Sequence, residues 1–161
     1  MRIFNFAWII LLMASGCVSV SLSGDKTVPA SGVAFEAPPS PFKKAKNTTD
    51  ASWLSERTGN SIAYVSACDG KAEVPLTQLE SFALASLDTA EVVSSSETLF
   101  QGRAARTTTA NGSLDGIPMR MSLLVFKKNN CDYTLIYGGV AKQFDSELQY
   151  FENFKRNFKV P

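Results

Sequence analysis

The chain has 161 residues, of which 45% are hydrophobic, and its basic and acidic residues nearly balance, giving a formal net charge of +1 at pH 7. This length suits a single domain with a sizeable core, and a balanced charge without a basic face argues against nucleic acid as a partner. The chain has no histidine, which excludes a Ser–His or Cys–His nucleophile pair and removes the commonest zinc ligand.

The first 16 residues have the composition of an export signal. Arg2 provides a positive charge, residues 3–13 are apolar except for Asn5, and the three residues before Cys17 are small. This order of segments is typical of a secretory signal peptide. The apolar stretch is shorter than the roughly 20 residues that a helix needs to cross a bilayer.

The sequence Ala14-Ser15-Gly16-Cys17 resembles the lipobox of bacterial lipoproteins. Ser15 and Gly16 fit the pattern, whereas Ala14 stands where the family usually has Leu. The resemblance implies that residues 1–16 are removed and that Cys17 receives a diacylglycerol thioether and an N-acyl chain. Two or more acyl chains anchor a protein to a membrane durably.

The resemblance also implies a location. In enteric-type bacteria an Asp directly after the lipidated cysteine keeps a lipoprotein in the inner membrane, and neither Val18 nor Ser19 is acidic. An outer-membrane lipid anchor that faces the periplasm is therefore implied. Two other interpretations stay open: an ordinary signal peptide cut near Gly16, which would leave a secreted soluble domain with Cys17 as a plain thiol, and an uncleaved short anchor.

Residues 17–32 are predicted to form a flexible tether, because they carry few large side chains and show no regular period. The folded domain is then predicted over residues 33–161. If Cys17 carries lipid, only Cys68 and Cys131 remain, and an even pair in an exported chain predicts a disulfide. Two separate thiols are the alternative. The wide spacing of the pair is not that of a redox or zinc site, and the sequence predicts no metal and no cofactor.

The first half of the domain predicts three strands. Residues 33–37 form an opening strand that two prolines end, and residues 52–54 and 61–66 form a hairpin across a loop rich in turn residues. The basic cluster between the first two strands is interpreted as a solvated loop, with a contact to anionic lipid as the alternative, and it consists of Lys43, Lys44 and Lys46.

A helix is predicted over residues 75–87, where apolar side chains recur at helical spacing. Thr77 and Glu80 match the capping-box pattern, in which each side chain bonds a backbone N–H of the first helical turn. The sequence therefore predicts that this helix begins at a Thr–Glu cap.

Four further strands and a second helix follow. The strands are predicted over residues 91–100, 102–110, 119–127 and 132–137. Asn111-Gly112 and Asp115-Gly116 are predicted to frame a hairpin loop, and Gly138-Gly139 to end the last strand. The second helix is predicted with Asp145 as its N-cap, from the helical spacing of Phe144, Leu148, Phe151, Phe154 and Phe158.

This order of elements predicts an α+β domain with a mainly antiparallel sheet of about six or seven strands that two helices cover. It resembles the PsbP/Mog1-type fold of photosystem accessory proteins, a nuclear-transport factor and many small bacterial lipoproteins. The resemblance covers roughly residues 33–161 and rests on element order, on the hairpin centred on Gly102, and on the aromatic helix that follows residues 132–137. It implies no particular binding residue.

Two classes of function remain. The first is a non-catalytic binding or assembly module of the cell envelope, which predicts a concave or apolar patch on the sheet face away from the helices and binds a protein or a small ligand. The second is a carboxylate-dependent hydrolase, which predicts a pocket with two converging carboxylates. Asp69 and Asp132 each follow a cysteine and are a candidate acidic spot, with two solvated loop carboxylates as the alternative. A third hypothesis is a domain that only spaces a larger complex.

Overall fold

The computed structural model describes residues 28–46, 49–68 and 74–161. Within these ranges the elements follow each other in the predicted order of three strands, a helix, four strands and a helix. The strands are β1 (Phe42–Lys44), β2 (Ala51–Ser55), β3 (Ser61–Cys68), β4 (Asp88–Phe100), β5 (Arg103–Leu114), β6 (Ile117–Lys128) and β7 (Cys131–Val140). The helices are α1 (Leu76–Leu84) and α2 (Leu148–Asn157), and a 3-10 turn (Phe144–Ser146) precedes α2.

The seven described strands form one sheet in the order β1-β2-β3-β7-β6-β5-β4, and each strand is antiparallel to its neighbours. Three successive hairpins build the half from β4 to β7, and β7 then pairs with β3 in the middle of the sheet. The predicted α+β class with a mainly antiparallel sheet is confirmed.

The larger core lies on the face of the sheet that α2 covers. Phe151, Phe154 and Phe158 are buried, as their helical spacing predicts. Their rings contact aromatic residues of three strands, with edge-to-face, tilted and stacked geometries that aromatic pairs favour. The ring centroids are 5.7 Å apart for Phe151–Tyr137, 5.4 Å for Phe154–Trp53 and 5.1 Å for Phe158–Tyr64.

The two helices lie on opposite faces of the sheet. Successive residues of a strand point to opposite faces, and Tyr137 of β7 packs in the α2 core whereas Ile136 packs in a smaller cluster with Leu87, Met121 and Leu123. That cluster lies under α1, whose contacts are mainly with β5 and β6. The prediction of a patch on a sheet face away from the helices is therefore wrong, because each face carries one helix over part of its width.

The prediction of an opening strand over residues 33–37 is also wrong. Only Ala34 forms a bridge, with Lys159, and Phe35 instead packs its ring against Trp53 of β2 with 5.4 Å between centroids. Prolines lack the N–H that a ladder needs, and the first strand begins after Pro41. Part of the predicted basic loop belongs to this strand, because Lys43 and Lys44 are residues of β1.

One hairpin prediction and one strand-end prediction are wrong in detail, because Gly112, Gly138 and Gly139 lie inside strands and not in turns. The β5–β6 turn is Asp115-Gly116, and Gly112 stays inside β5, where a Cβ would lie 2.9 Å from Cβ of Leu87. Likewise β7 continues through Gly138-Gly139 to Val140. At Gly112 and Gly139 the glycine allows a neighbour to approach the backbone closely, whereas a Cβ at Gly138 would have no atom nearer than 3.9 Å.

Part of the predicted tether is attached to the sheet. Val28 exchanges backbone hydrogen bonds with Cys68, at 2.9 and 3.4 Å, and Ala30 N–H donates to Ser66 Oγ at 2.8 Å. Cys17 and the predicted signal peptide lie outside the described residues. Within the described ranges, neither helix has both the length and the apolar character to cross a bilayer.

Candidate functional site

The most exposed element of the domain is the edge strand β4. It has 13 residues, of which eleven are exposed and none is buried. One of its sides pairs with β5, and its other side is the end of the sheet. An edge strand presents a row of backbone N–H and C=O groups to which another chain can pair. The opposite edge is β1, which has only three residues, two of them lysines.

Large apolar side chains accompany this edge. Val93 is 58% exposed and Leu99 is 76% exposed, and Val92 beside them is also exposed. Leu114 and Ile117 are exposed at the tip of the β5–β6 hairpin, next to the first residues of β4, because Asp88 pairs with Ser113. Apolar side chains along an open strand provide contacts for a partner in addition to backbone hydrogen bonds.

The two halves of β4 differ in regularity. Register shifts occur between Asp88 and Glu91 and between Val92 and Ser94, whereas residues 94–100 pair with β5 without interruption. Bulges and charges discourage the addition of a strand. The regular half carries one charged residue, Glu97, whose carboxylate lies 3.8 Å from the Arg106 guanidinium. Residues 94–100 are therefore the part of the edge that is best suited to accept a strand.

A buried carboxylate fixes this edge from the inner side. Glu80 of α1 is 7% exposed and accepts hydrogen bonds from Ser95 Oγ at 2.7 Å, from Arg106 Nε at 2.5 Å and from the Thr108 hydroxyl. Burial raises the pKa of the Glu80 carboxyl, but these hydrogen bonds and the Arg106 charge outweigh it, so the pKa lies below the ordinary value. The middle of β4 is thereby fixed to α1 and β5.

The same carboxylate corrects the capping-box prediction. The N-cap of α1 is Pro75, no side chain caps the helix, and Thr77 lies inside it. Glu80 is buried against the sheet and does not bond the first turn. The Thr-x-x-Glu spacing is local, whereas the three donors to Glu80 come from β4 and β5, which a local pattern cannot reveal.

A second buried carboxylate fixes the β2–β3 loop. Glu147 is fully buried and accepts from Ser55 Oγ at 2.9 Å, from Arg57 Nε at 3.1 Å, from the Thr58 hydroxyl and from Asn60 Nδ2 at 3.3 Å. Burying a carboxylate is costly unless it is paired and hydrogen-bonded, and here both oxygens have partners. Glu147 is also the N-cap of α2 in place of the predicted Asp145, which lies in the 3-10 turn.

Asn60 links this cluster to β7. Its Nδ2 donates to Tyr137 Oη at 2.9 Å and to the Gln143 carbonyl at 3.0 Å. Burial, together with the Glu147 charge, raises the pKa of the Tyr137 phenol well above its ordinary value, so the phenol keeps its proton and donates a hydrogen bond to the Phe144 carbonyl at 2.6 Å. This cluster connects three parts of the chain, and its buried Asn60 Oδ1 has no hydrogen-bond partner among the described residues.

An open groove lies between α2 and the segment before β1. It has a volume of about 390 Å³ and is lined by nine residues, among them Glu36, Pro38, Pro39, Tyr150 and Arg156. Glu36 accepts a hydrogen bond from Asn157 Nδ2 at 2.8 Å across one side of it.

The structure joins Cys68 of β3 to Cys131 of β7 by a disulfide. The two residues pair directly across neighbouring strands. Of the two carboxylates beside them, Asp132 lies 3.4 Å from Lys127 Nζ, and Asp69 lies outside the described residues. Among the residues described, no group of three or more Cys, Asp or Glu side chains is placed to hold a metal ion.

Sequence comparisons give no match for this chain, neither with a protein-family model nor with a curated protein sequence. Comparison of structures, in contrast, gives several matches. LpqN of Mycobacterium tuberculosis, described as involved in cell envelope biogenesis, superposes with a TM-score of 0.61 at 9% identity, over 86% of this chain and 88% of LpqN. The cyanobacterial PsbP (CyanoP) of Synechocystis sp. PCC 6803 gives a TM-score of 0.56 at 13% identity, over 92% and 99% of the two chains.

A third similar structure is PA94 of Pseudomonas aeruginosa, a protein of unknown function described as a putative regulator. It gives a TM-score of 0.51 at 10% identity and covers 74% of this chain and 81% of PA94. At such identities the likeness concerns the fold. The described domain has the PsbP/Mog1-like α+β fold that the order of its elements predicts.

Proposed function

We propose that this protein is a lipid-anchored, non-catalytic module of the bacterial cell envelope that binds an extended segment of a partner protein along β4. The observation that carries the proposal is the open 13-residue edge with its exposed apolar side chains. In strand addition, main-chain hydrogen bonds supply affinity and side chains along the strand supply specificity. Residues 94–100 have the regular register that this mode requires.

The proposal of an envelope location has two supports. The lipobox-like sequence that ends at Cys17 implies a lipid anchor, and LpqN, a structurally similar protein, is described as involved in cell envelope biogenesis. The anchor is proposed to be in the outer membrane and to face the periplasm, because residues 18 and 19 are not acidic.

The non-catalytic role is proposed from the way in which the buried carboxylates are used. Glu80 and Glu147 each accept hydrogen bonds from an arginine and from hydroxyl groups of the fold. A general acid or base needs a free edge toward a substrate, and these two carboxylates are occupied by structural partners.

Photo-crosslinking in the native host tests the binding edge. A photo-reactive residue in place of Leu99 should give a discrete adduct with one partner, whereas the same residue in place of Leu54 should not. Leu54 is a matched control, because it is a half-exposed strand leucine on β2. The adduct from position 99 should decrease when Val93→Lys adds a charge to the same edge and should be unchanged by Leu54→Lys. Equal adducts from both positions would contradict strand addition, and an adduct of twice the chain mass would identify a second copy as the partner.

Intact-mass measurement tests the anchor separately. Protein purified from the host should begin at Cys17 and carry the mass of a diacylglycerol and an acyl chain, and Cys17→Ser should move the protein from the membrane to the soluble fraction. An unmodified amino terminus on the wild-type protein excludes the anchor without affecting the proposal for β4.

A further inference from the structure

Several charges that lack an opposite partner lie near the two ends of the sheet. In the part of the chain that the structure describes, five side-chain carboxylates have no ion pair, and two of them, Glu36 and Asp50, accept hydrogen bonds from Asn157 and Ser66. The other three are Asp88, Glu91 and Asp115. The described cations without an ion pair are Lys44, Lys46, Arg103, Lys128, Lys142, Arg156 and Lys159.

Three of these seven cations lie at one end of the sheet. Arg103 is the first residue of β5, and Lys128 is the last residue of β6 and pairs with Cys131. Lys159 follows α2, and the Lys128 ammonium donates to the carbonyl of the next residue, Val160, at 3.0 Å. Lys44 is in register with Trp53 and, through it, with Ile62 near the start of β3, so Lys44 lies away from this end. We call the end formed by Arg103, Lys128 and Lys159 the basic end.

The chain enters the domain at this same end. Val28 pairs with Cys68, and Cys68 pairs with Cys131. A continuous row of paired residues therefore leads from Val28 to Lys128. Three of the five unpaired carboxylates lie at the opposite end, because Asp88 and Glu91 begin β4 and Asp115 is in the β5–β6 turn, whereas Asp50 bonds Ser66 of β3.

We infer that the basic end faces the bilayer and contacts anionic phospholipid head groups, so that the anchored domain stands with its strands pointing away from the membrane. The inference rests on the proposed lipid anchor for its geometry. Eleven residues, from Cys17 to Thr27, precede Val28, and fully extended they span at most roughly 40 Å. The proposed anchor therefore keeps Val28 and the basic end within that distance of the membrane surface.

Charge complementarity determines which end of the sheet contacts the membrane. Anionic lipids attract clustered lysines and arginines within about one Debye length of the surface, and the carboxylates at the far end are repelled. In this orientation β4 extends from the membrane for its full length. Its regular half, residues 94–100, lies toward the membrane because β4 ends at the basic end.

The experiment uses the chain from residue 17 with Cys17→Ser, which keeps every described residue and removes lipidation as a factor. Binding to mixed phosphatidylglycerol–phosphatidylcholine vesicles is measured by co-sedimentation at low salt and compared with pure phosphatidylcholine vesicles. The basic-end double variant is Arg103→Gln with Lys159→Gln. The control double variant is Arg156→Gln with Lys142→Gln, which removes the same two residue types from the outer side of α2 and from the far end of β7.

The parent chain should bind only the anionic vesicles, and added salt should release it. The basic-end variant should lose roughly tenfold in affinity, whereas the control should stay within about twofold of the parent. Equal losses in both variants would show that net charge alone acts, and undiminished binding to phosphatidylcholine would show that head-group charge does not matter. Either result, or the absence of anionic binding by a parent chain that melts normally, overturns the inference, and none of them bears on whether Cys17 is lipidated in the host.

Discussion

At the scale of single residues, two buried carboxylates determine much of the polar organisation of this domain. Glu80 fixes α1 to β4 and β5, and Glu147 fixes the β2–β3 loop to the start of α2. Each carboxylate has an arginine partner and hydroxyl donors, which offset the cost of burying a charge. Removing either side of such a cluster leaves buried groups without partners, so single substitutions there have large and interpretable effects.

Glu80→Gln is expected to destabilise the domain by about 1–3 kcal/mol at neutral pH, since it removes a charge to which three donors point. The pKa of the Glu80 carboxyl is below its ordinary value of 4.5 in the folded state. A lowered folded pKa gives stability that is present above the unfolded pKa and is lost as the pH falls through the folded pKa. The difference in free energy of unfolding between wild type and Glu80→Gln should therefore shrink below about pH 4.5 in denaturant titrations. A difference that stays constant down to acidic pH would show that ionisation of Glu80 does not contribute.

Gly139→Ala is expected to destabilise the domain by about 1–3 kcal/mol, because an added methyl group overpacks a closed site. A Cβ at Gly139 would lie 1.8 Å from Asn60 Oδ1, an atom for which the described residues provide no hydrogen-bond partner. Gly138→Ala is the matched control, since the nearest atoms to its Cβ would be 3.9 Å away. Thermal melting of both variants checks the prediction. Similar losses at the two positions would mean that backbone flexibility, and not the contact with Asn60, requires glycine.

At the scale of elements, period and turn chemistry predict most of the fold. The helical spacing of phenylalanines locates α2, and the turn residues between apolar runs locate the β2–β3 hairpin. Local patterns fail where the role of a side chain depends on a partner that is distant in sequence. Gly112 looks like a turn residue but allows Leu87 to approach, and Glu80 looks like a cap but bonds to β4 and β5. The open edge of β4 could not be predicted either, because strand order depends on contacts between residues far apart in sequence.

Phe151→Ala is expected to lower the free energy of unfolding by about 3–5 kcal/mol, because it removes a buried aromatic ring and the surrounding core fills the resulting cavity only partly. Phe151 is fully buried and stacks on Tyr137. Phe82→Ala on α1 is the control, because Phe82 is 61% exposed and exposed substitutions usually change stability by less than about 0.5 kcal/mol. Chemical denaturation compares the two variants. A small loss for Phe151→Ala would show that α2 does not close the core.

At the scale of the whole molecule, the described residues form one sheet with a helix over part of each face, so part of each face carries neither of the described helices and one long strand forms an edge. On the α1 side, Leu54 and Val65 are exposed over the β2–β3 half. On the α2 side, the hydroxyl groups of Ser96 on β4 and Thr107 on β5 form an exposed hydrogen bond of 3.1 Å. The proposed binding edge and the proposed membrane-facing end meet where β4 ends, so a partner strand on residues 94–100 would lie close to the bilayer.

The disulfide acts at this same scale because it connects the two halves of the sheet. Cys68 ends the part of the sheet that precedes α1, and Cys131 begins the strand that completes it, with 63 residues between them. Closing a loop of this length removes unfolded-state entropy worth about 4 kcal/mol in the chain-entropy model. Cys68→Ala and Cys131→Ala should therefore destabilise the domain by similar amounts, and the double variant should add little because the same bond is lost in all three.

Equilibrium unfolding of the three variants under oxidising conditions checks this, with wild type under reducing conditions as a further comparison. Reduced wild type should unfold at the same denaturant concentration as the variants, to within the small effect of exchanging Cys for Ala. If the losses of the single variants added up in the double variant, each thiol would act through its own packing, and no bond would join β3 to β7 in solution.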